Sequence, residues 1–189
     1  EEFKTLLGIA KQKNIIVLVD EAYHYFYPNT FIKYALEDEH VFVTRTFSKL
    51  FSLAGCRLGY VAGWPEGVKL IQKLCTPHNT NAFAMKFAEA IIKNPDVLNS
   101  LISNFNEGRK YLIDSLDVHG YRHKGEAGNF IFIKTSTNAD KIVARMKAEK
   151  KILIKSYPNV GDFGTCLRVS IGEKKYMQQF FEALLELDK

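Results

Sequence analysis

Residues 44–60 read TRTFSKLFSLAGCRLGY. Lys49 follows Ser48 directly, in a segment that is otherwise apolar and punctuated by Gly55 and Gly59. Arg57 comes eight positions after the lysine. An ammonium and a guanidinium among small residues leave room for a ligand between them. The flanking residues give the stretch its place. VFVTR (Val41–Arg45) is an apolar run that predicts a strand ahead of the lysine, and GYVAG (Gly59–Gly63) predicts another after the arginine. Further upstream, IIVLV (Ile15–Val19) is a continuous β-branched run, the pattern of a strand buried on both faces. Before it, Phe3, Leu6, Leu7 and Ala10 recur at helical spacing, with Asn14 as a stop.

The pattern continues downstream. Trp64 and Pro65 mark a turn, and helices are expected over Glu66–Leu74 and Ala82–Lys93. Pro95 opens a long amphipathic run that ends near Gly120. Beyond it, NFIFIK (Asn129–Lys134), KILIK (Lys151–Lys155) and CLRVSI (Cys166–Ile171) read as strands. Helices are expected over Ala139–Lys150 and Glu173–Leu187. In the second, Met177, Phe180, Phe181 and Leu184 form one apolar stripe suited to a core. The expected fold class is α/β. Residues 1–94 would form part of a mostly parallel sheet with flanking helices. Residues 95–120 would be a connecting helix, and 121–189 a small α+β domain.

Composition bounds the function. The chain has 189 residues, 47% hydrophobic and 25% charged, which supports one large or two small folded domains. Its formal charge of +5 is spread along the chain, which reads as a solvated surface and not a nucleic-acid patch. Three cysteines (Cys56, Cys75, Cys166) without CxxC spacing argue for a reducing compartment, and against a disulfide framework or a zinc site. No apolar run approaches the ~18 residues of a membrane span. His24 and His78 are lone histidines without partners at ligand spacing. KAEKK (Lys147–Lys151) reads as a solvated helix end, where cations suit the dipole. There is no internal repeat and no low-complexity segment.

In α/β sheets, functional groups gather beyond the carboxyl ends of the strands. Asp20 and Tyr23 follow the first strand in VDEAYHYF, and Lys49 follows the second. An acid there serves equally as a cap or a metal ligand when taken alone. A lysine among apolar neighbours loses its proton more readily, because desolvation disfavours the ammonium, and the neutral amine can form a Schiff base. Arg57 can bind a phosphate bidentately, and Gly55 and Gly59 would let backbone approach a ligand. Pyridoxal phosphate uses all four groups: a carboxylate for its ring nitrogen, a donor for its phenolic oxygen, an amine for its aldehyde and a cation for its phosphate.

VDEAYHYF, TRTFSKLFSLAGCRLGY and TPHNTNAFA resemble the fold-type-I, pyridoxal-phosphate-dependent class I/II aminotransferases, in particular the histidinol-phosphate aminotransferase-like branch. AGNFIFIK, KKILIKSY and CLRVSIGEKKYMQQF resemble that branch's small domain, so the resemblance covers nearly the whole chain in order. It implies that Lys49 is the Schiff-base lysine, that Asp20 keeps the ring nitrogen protonated and that Tyr23 bonds the O3′ oxygen. Ser48 and Arg57 would hold the phosphate, with a weaker contact from Thr46. Arg168 would grip the substrate's α-carboxylate.

The resemblance further implies a cytoplasmic homodimer that transfers an amino group between an amino donor and a 2-oxo acid, with no metal, nucleic acid or membrane partner. A decarboxylase or lyase of the same branch, or the cofactor-sensing domain of a transcription regulator, remain alternatives. The family's glycine loop, ring-stacking aromatic and O3′-supporting asparagine would lie upstream of Glu1. The 189 residues are therefore expected to be a C-terminal portion, inactive alone. Where the branch tends to carry arginine in a GILVR-like strand, this chain has Lys155, a point charge without a fork.

Overall fold

Helix α1 (Glu2–Gln12) leads into strand β1 (Val17–Asp20), which lies parallel to β2 (Val41–Thr46) with Asp20 opposite Thr44. In this computed structural model all residues except 28 and 126 are described. The chain divides into two units, Glu1–Pro95 and Asp96–Lys189.

In the first unit, α2 (Ile32–Glu37) connects β1 to β2, and β3 (Gly59–Gly63) pairs antiparallel with β2, giving the order β1-β2-β3. Val41 and Val43 of the central strand are fully buried, and Leu7 and Ala35 join them in the core. Phe3, Val19, Phe31 and Tyr34 pack around this core. Helix α3 (Pro65–Leu74) starts with Pro65 in its first turn, where a missing N–H costs nothing. Asn81 caps α4 (Ala82–Ile92), its side-chain oxygen accepting from the Phe83 and Ala84 amides at 2.8 and 3.2 Å.

β1 departs from the sequence expectation. It starts at Val17 and its exposure alternates, with Leu18 63% exposed. The β-branched run IIVLV reports strand propensity. What covers each face depends on the neighbours, and β1 is an edge strand of this sheet.

In the second unit, α5 (Pro95–Val118) precedes a four-stranded antiparallel sheet. Its strands are β4 (His123–Lys124), β5 (Phe130–Ile133), β6 (Lys155–Tyr157) and β7 (Cys166–Ser170), in the order β4-β5-β7-β6. Ile131, Ile133, Leu167 and Val169 alternate onto one buried face. Helix α6 (Ala139–Arg145) packs against β6, β7 and α7 (Lys174–Leu187), and the predicted stripe Met177, Phe180, Phe181 and Leu184 is buried.

KILIK is not a strand as expected. A π-helical turn (Met146–Lys150) prolongs α6, and Lys151 closes it in the left-handed conformation, φ 59°. The Ile152 amide then bonds back to Met146 O at 3.1 Å, so the ladder begins only at Lys155.

A buried acid ties each unit together. In the first, Asp38 binds Lys11 at 2.6 Å and the His40 amide at 3.0 Å. In the second, Asp188 accepts from the Ser136 and Thr137 amides and the Thr137 hydroxyl at 3.0, 2.7 and 2.6 Å. Burial pushes both carboxyls up, but the hydrogen bonds and, at Asp38, the Lys11 ammonium outweigh it, so both titrate below the ordinary range. A depressed pKa gives stability that is present above the unfolded value and lost as pH falls through the folded one. Melting temperature should therefore hold near neutrality and fall below about pH 4. Asp188→Asn should flatten the acid limb for the second unit, as read by thermal melts between neutral and acid pH.

Among the described residues, no helix is long and apolar enough to cross a membrane.

Candidate functional site

Because β1 and β2 run parallel, Asp20 and Thr46 leave the sheet at the same end. The exposed Asp20 carboxylate is oriented by its neighbours: its Oδ1 accepts from the Thr44 hydroxyl at 3.3 Å and the Ala22 amide at 3.1 Å. After β2 the chain closes a loop on itself. The Phe47 amide donates to Leu58 O, and the Leu53 amide to Phe47 O, both at 3.1 Å. Phe47, Leu50, Phe51 and Leu58 are buried, with the Phe47 and Tyr25 rings 5.0 and 5.1 Å from that of Phe51. Burying these four side chains holds the loop down and leaves Ser48 and Lys49 only half-buried.

Lys49 Nζ sits 5.4 Å from the Tyr23 ring centroid, which brings the amine against the face of the phenol ring. The Ser48 amide bonds Thr46 Oγ1 at 3.0 Å, and that hydroxyl donates to Leu58 O at 3.4 Å. Arg57, the residue before Leu58, is thereby drawn to the same loop. It adopts φ 51° and Ser52 φ 55°, left-handed conformations that cost roughly 1–2 kcal/mol each for residues with a Cβ. The Arg57 guanidinium is exposed, donates to Ala54 O at 3.1 Å and forms no ion pair among the described residues. The two glycines have different roles. A Cβ on Gly59 would lie 2.8 Å from Arg45 O, so its small size serves strand pairing; Gly55 faces open space.

Arg168 belongs to the second unit. In β7 it stands opposite Phe132 on one side and Lys155 on the other, so the three share a sheet face. Its guanidinium carbon is 4.0 Å from the Phe130 ring centroid, and Phe132 and Tyr157 extend the aromatic floor at 5.8 Å from each other. Neither Arg168 nor Lys155 makes an ion pair among the described residues. A cation over an aromatic ring, with a second cation beside it on the same sheet face, suits an anionic group attached to a planar or apolar body.

One cluster escaped the sequence reading. Glu21, next to Asp20, is buried and pairs with Arg45 at 2.9 Å. A charge inside the otherwise apolar VFVTR strand was the signal that a partner must exist.

The order of these groups has a counterpart in known proteins. Residues 1–184 match the family described as aminotransferase class I and II. The chain belongs to that family. It is 32% identical over 187 residues to the histidinol-phosphate aminotransferase of Thermoanaerobacter sp. (strain X514), covering 98% of this chain and 52% of the relative. It is 29% identical over 187 residues to that of Moorella thermoacetica, covering 95% and 48%. The chain thus spans about half the length of the curated relatives it matches.

In fold it resembles the crystal structure of the histidinol-phosphate aminotransferase from Clostridium acetobutylicum, with a TM-score of 0.85 at 23% identity over 98% of this chain and 58% of that one. The Sinorhizobium meliloti enzyme, solved in complex with pyridoxal-5'-phosphate, gives 0.82 at 24% identity over 97% and 52%. This is the fold-type-I architecture expected from the motifs.

Proposed function

We propose that this chain carries the cofactor lysine and the substrate-carboxylate arginine of a pyridoxal-phosphate-dependent aminotransferase. The observation that carries the reading lies at the carboxyl end of β1 and β2, where the Lys49 amine lies over the Tyr23 ring and the Thr44 hydroxyl and Ala22 amide orient Asp20.

The donor set fits the cofactor. Asp20 would hold the ring nitrogen and keep it protonated, Tyr23 would donate to the phenolic oxygen, and Ser48 and Arg57 would take the phosphate. Arg57 suits that task because no acid neutralises it among the described residues. When bound, pyridoxal phosphate supplies an electron sink for the pair left when the α-proton departs. Lys49 would hold the aldehyde, and its amine, once freed by the substrate, would take the proton from the substrate's α-carbon. The buried Phe47 and Leu50 on either side of Ser48 and Lys49 fix the amine's approach. The reaction is ping-pong, with an amino acid or histidinol-phosphate-like amine as donor and a 2-oxo acid as acceptor, in a homodimer. The first test is uptake: adding pyridoxal phosphate to the purified full-length protein should give a visible absorbance band that dialysis does not remove. Its absence would overturn the proposal.

Substrate choice rests on the aromatic face of the second unit. Arg168→Ala should lower kcat/KM roughly 10- to 100-fold for donors with an α-carboxylate, because a charge-assisted pair is worth about 1.5–3 kcal/mol. Lys155 stands directly opposite Arg168, so Lys155→Ala should raise KM for a donor with an anionic far end and spare a neutral one. Half-reactions of the whole protein with glutamate, an aromatic amino acid and histidinol phosphate separate these outcomes. Equal losses for all three in the Arg168 variant would point to a folding defect and not to recognition.

A further inference from the structure

The Glu21–Arg45 ion pair is costly to keep. Its side chains are only 6% and 11% exposed, and two buried charges repay their desolvation only with excellent geometry. They have that geometry. Glu21 accepts from the Phe31 amide at 2.6 Å, the Thr30 hydroxyl at 2.9 Å, and Arg45 Nε and Nη2 at 3.0 and 2.9 Å. Arg45 in turn donates to Thr30 Oγ1 at 2.8 Å and to the Tyr60 hydroxyl at 3.4 Å. His24 Nδ1 lies 3.7 Å from the same carboxylate with no hydrogen-bond partner of its own among the described residues. Burial pushes the Glu21 carboxyl up, but the Phe31 amide, the Thr30 hydroxyl and Arg45 together hold it below its ordinary value.

Similar apolar residues often replace such a pair without loss of stability. Its position suggests a different use. Glu21 directly follows Asp20, and Arg45 directly precedes Thr46, whose hydroxyl holds the Ser48 amide. Successive side chains of a strand point to opposite faces, so Arg45 grips from the face opposite Thr44 and Thr46. We infer that Glu21 and Arg45 are positioning residues: their pair bolts the end of β1 to β2, β3 and the 30–31 segment, and so holds Asp20 in register with the Ser48–Lys49 loop. The link to cofactor binding rests on the function proposed above; the geometric claim does not.

The test uses the cofactor-free full-length protein. Amide exchange is read at Ala22 and Ser48, whose N–H groups bond Asp20 and Thr46, together with acylation of Lys49 by an amine-reactive ester, followed by peptide mass spectrometry. Glu21→Gln should speed both exchanges by about tenfold, the worth of one lost hydrogen bond, and Lys49 acylation by roughly threefold, at a temperature where circular dichroism is native. Asp38→Asn is the control, since it removes another buried acid of the same unit, at the other end of β2. It should lower the melting temperature and leave all three readouts unchanged.

If Glu21→Gln does not fold, the apolar pair Glu21→Leu with Arg45→Met should restore folding and still show fast exchange. Unchanged rates in the folded Glu21 variants, or equal acceleration by Asp38→Asn, would overturn the inference. In a second arm, Glu21→Gln should weaken pyridoxal phosphate uptake about tenfold. If the native full-length protein takes up none, the proposed function fails, and exchange and acylation still decide the positioning role.

Discussion

Replacing Lys49 with alanine should abolish covalent uptake of pyridoxal phosphate and lower transamination by roughly 1,000- to 10,000-fold. On the proposed function, one side chain would fill both roles, as the amine that holds the aldehyde and as the base that moves the α-proton. Borohydride reduction of the native protein should fix one cofactor per chain on the peptide that contains Lys49, and none in the variant. Local structure singles out Lys49 among the chain's lysines. It is half-buried, it lies over the Tyr23 ring, and the buried Phe47 and Leu50 flank the Ser48–Lys49 pair. Label on a different lysine would dismiss the assignment, whatever the activity of the variant.

A second large effect is expected at Gly108, inside α5. Helix propensity alone favours alanine there by about 1 kcal/mol. A Cβ at that position, however, would overlap the Gly172 carbonyl oxygen and come within 3.1 Å of the backbone carbons of Gly172 and Glu173. The obstacle is main chain, so no rotamer change relieves it. Overpacking of this kind costs about 1–3 kcal/mol or more, so the net sign is destabilising. At Gly8, inside α1, an added methyl group would meet nothing within 4 Å. Gly8→Ala should stabilise by up to about 1 kcal/mol, whereas Gly108→Ala should lower the melting temperature by roughly 5–10 °C. Two glycine-to-alanine changes of opposite sign, read in parallel melts, separate close packing from propensity.

These contrasts also mark how far the sequence could be read. VFVTR and GYVAG were legible as strands because short β-rich runs between turn residues leave few alternatives. The stripe in α7 was legible because period and burial coincide. KILIK was not, since a single left-handed residue, Lys151, turns an apolar run away from the ladder. The exposed side of Leu18 was illegible because propensity does not say what covers a strand. As candidates, Asp20, Tyr23, Ser48, Lys49 and Arg57 could be proposed from the sequence because each lies in a motif with local spacing. Glu21 and Arg45 are 24 residues apart, and only the parallel register that sets Asp20 against Thr44 makes them partners. Spacing along a chain does not specify register between strands.

The outward side of β1 has a bearing on every melting experiment above. Ile15 and Ile16 lead into a strand whose Leu18 faces water, and the outer edge of that strand has no neighbour among the described residues. Such an edge is a template for another extended chain. Association through it would favour the folded form by mass action, so the apparent transition temperature would rise with protein concentration. Dilution series are then part of the thermodynamics of this chain, and variants compare fairly only at matched concentration.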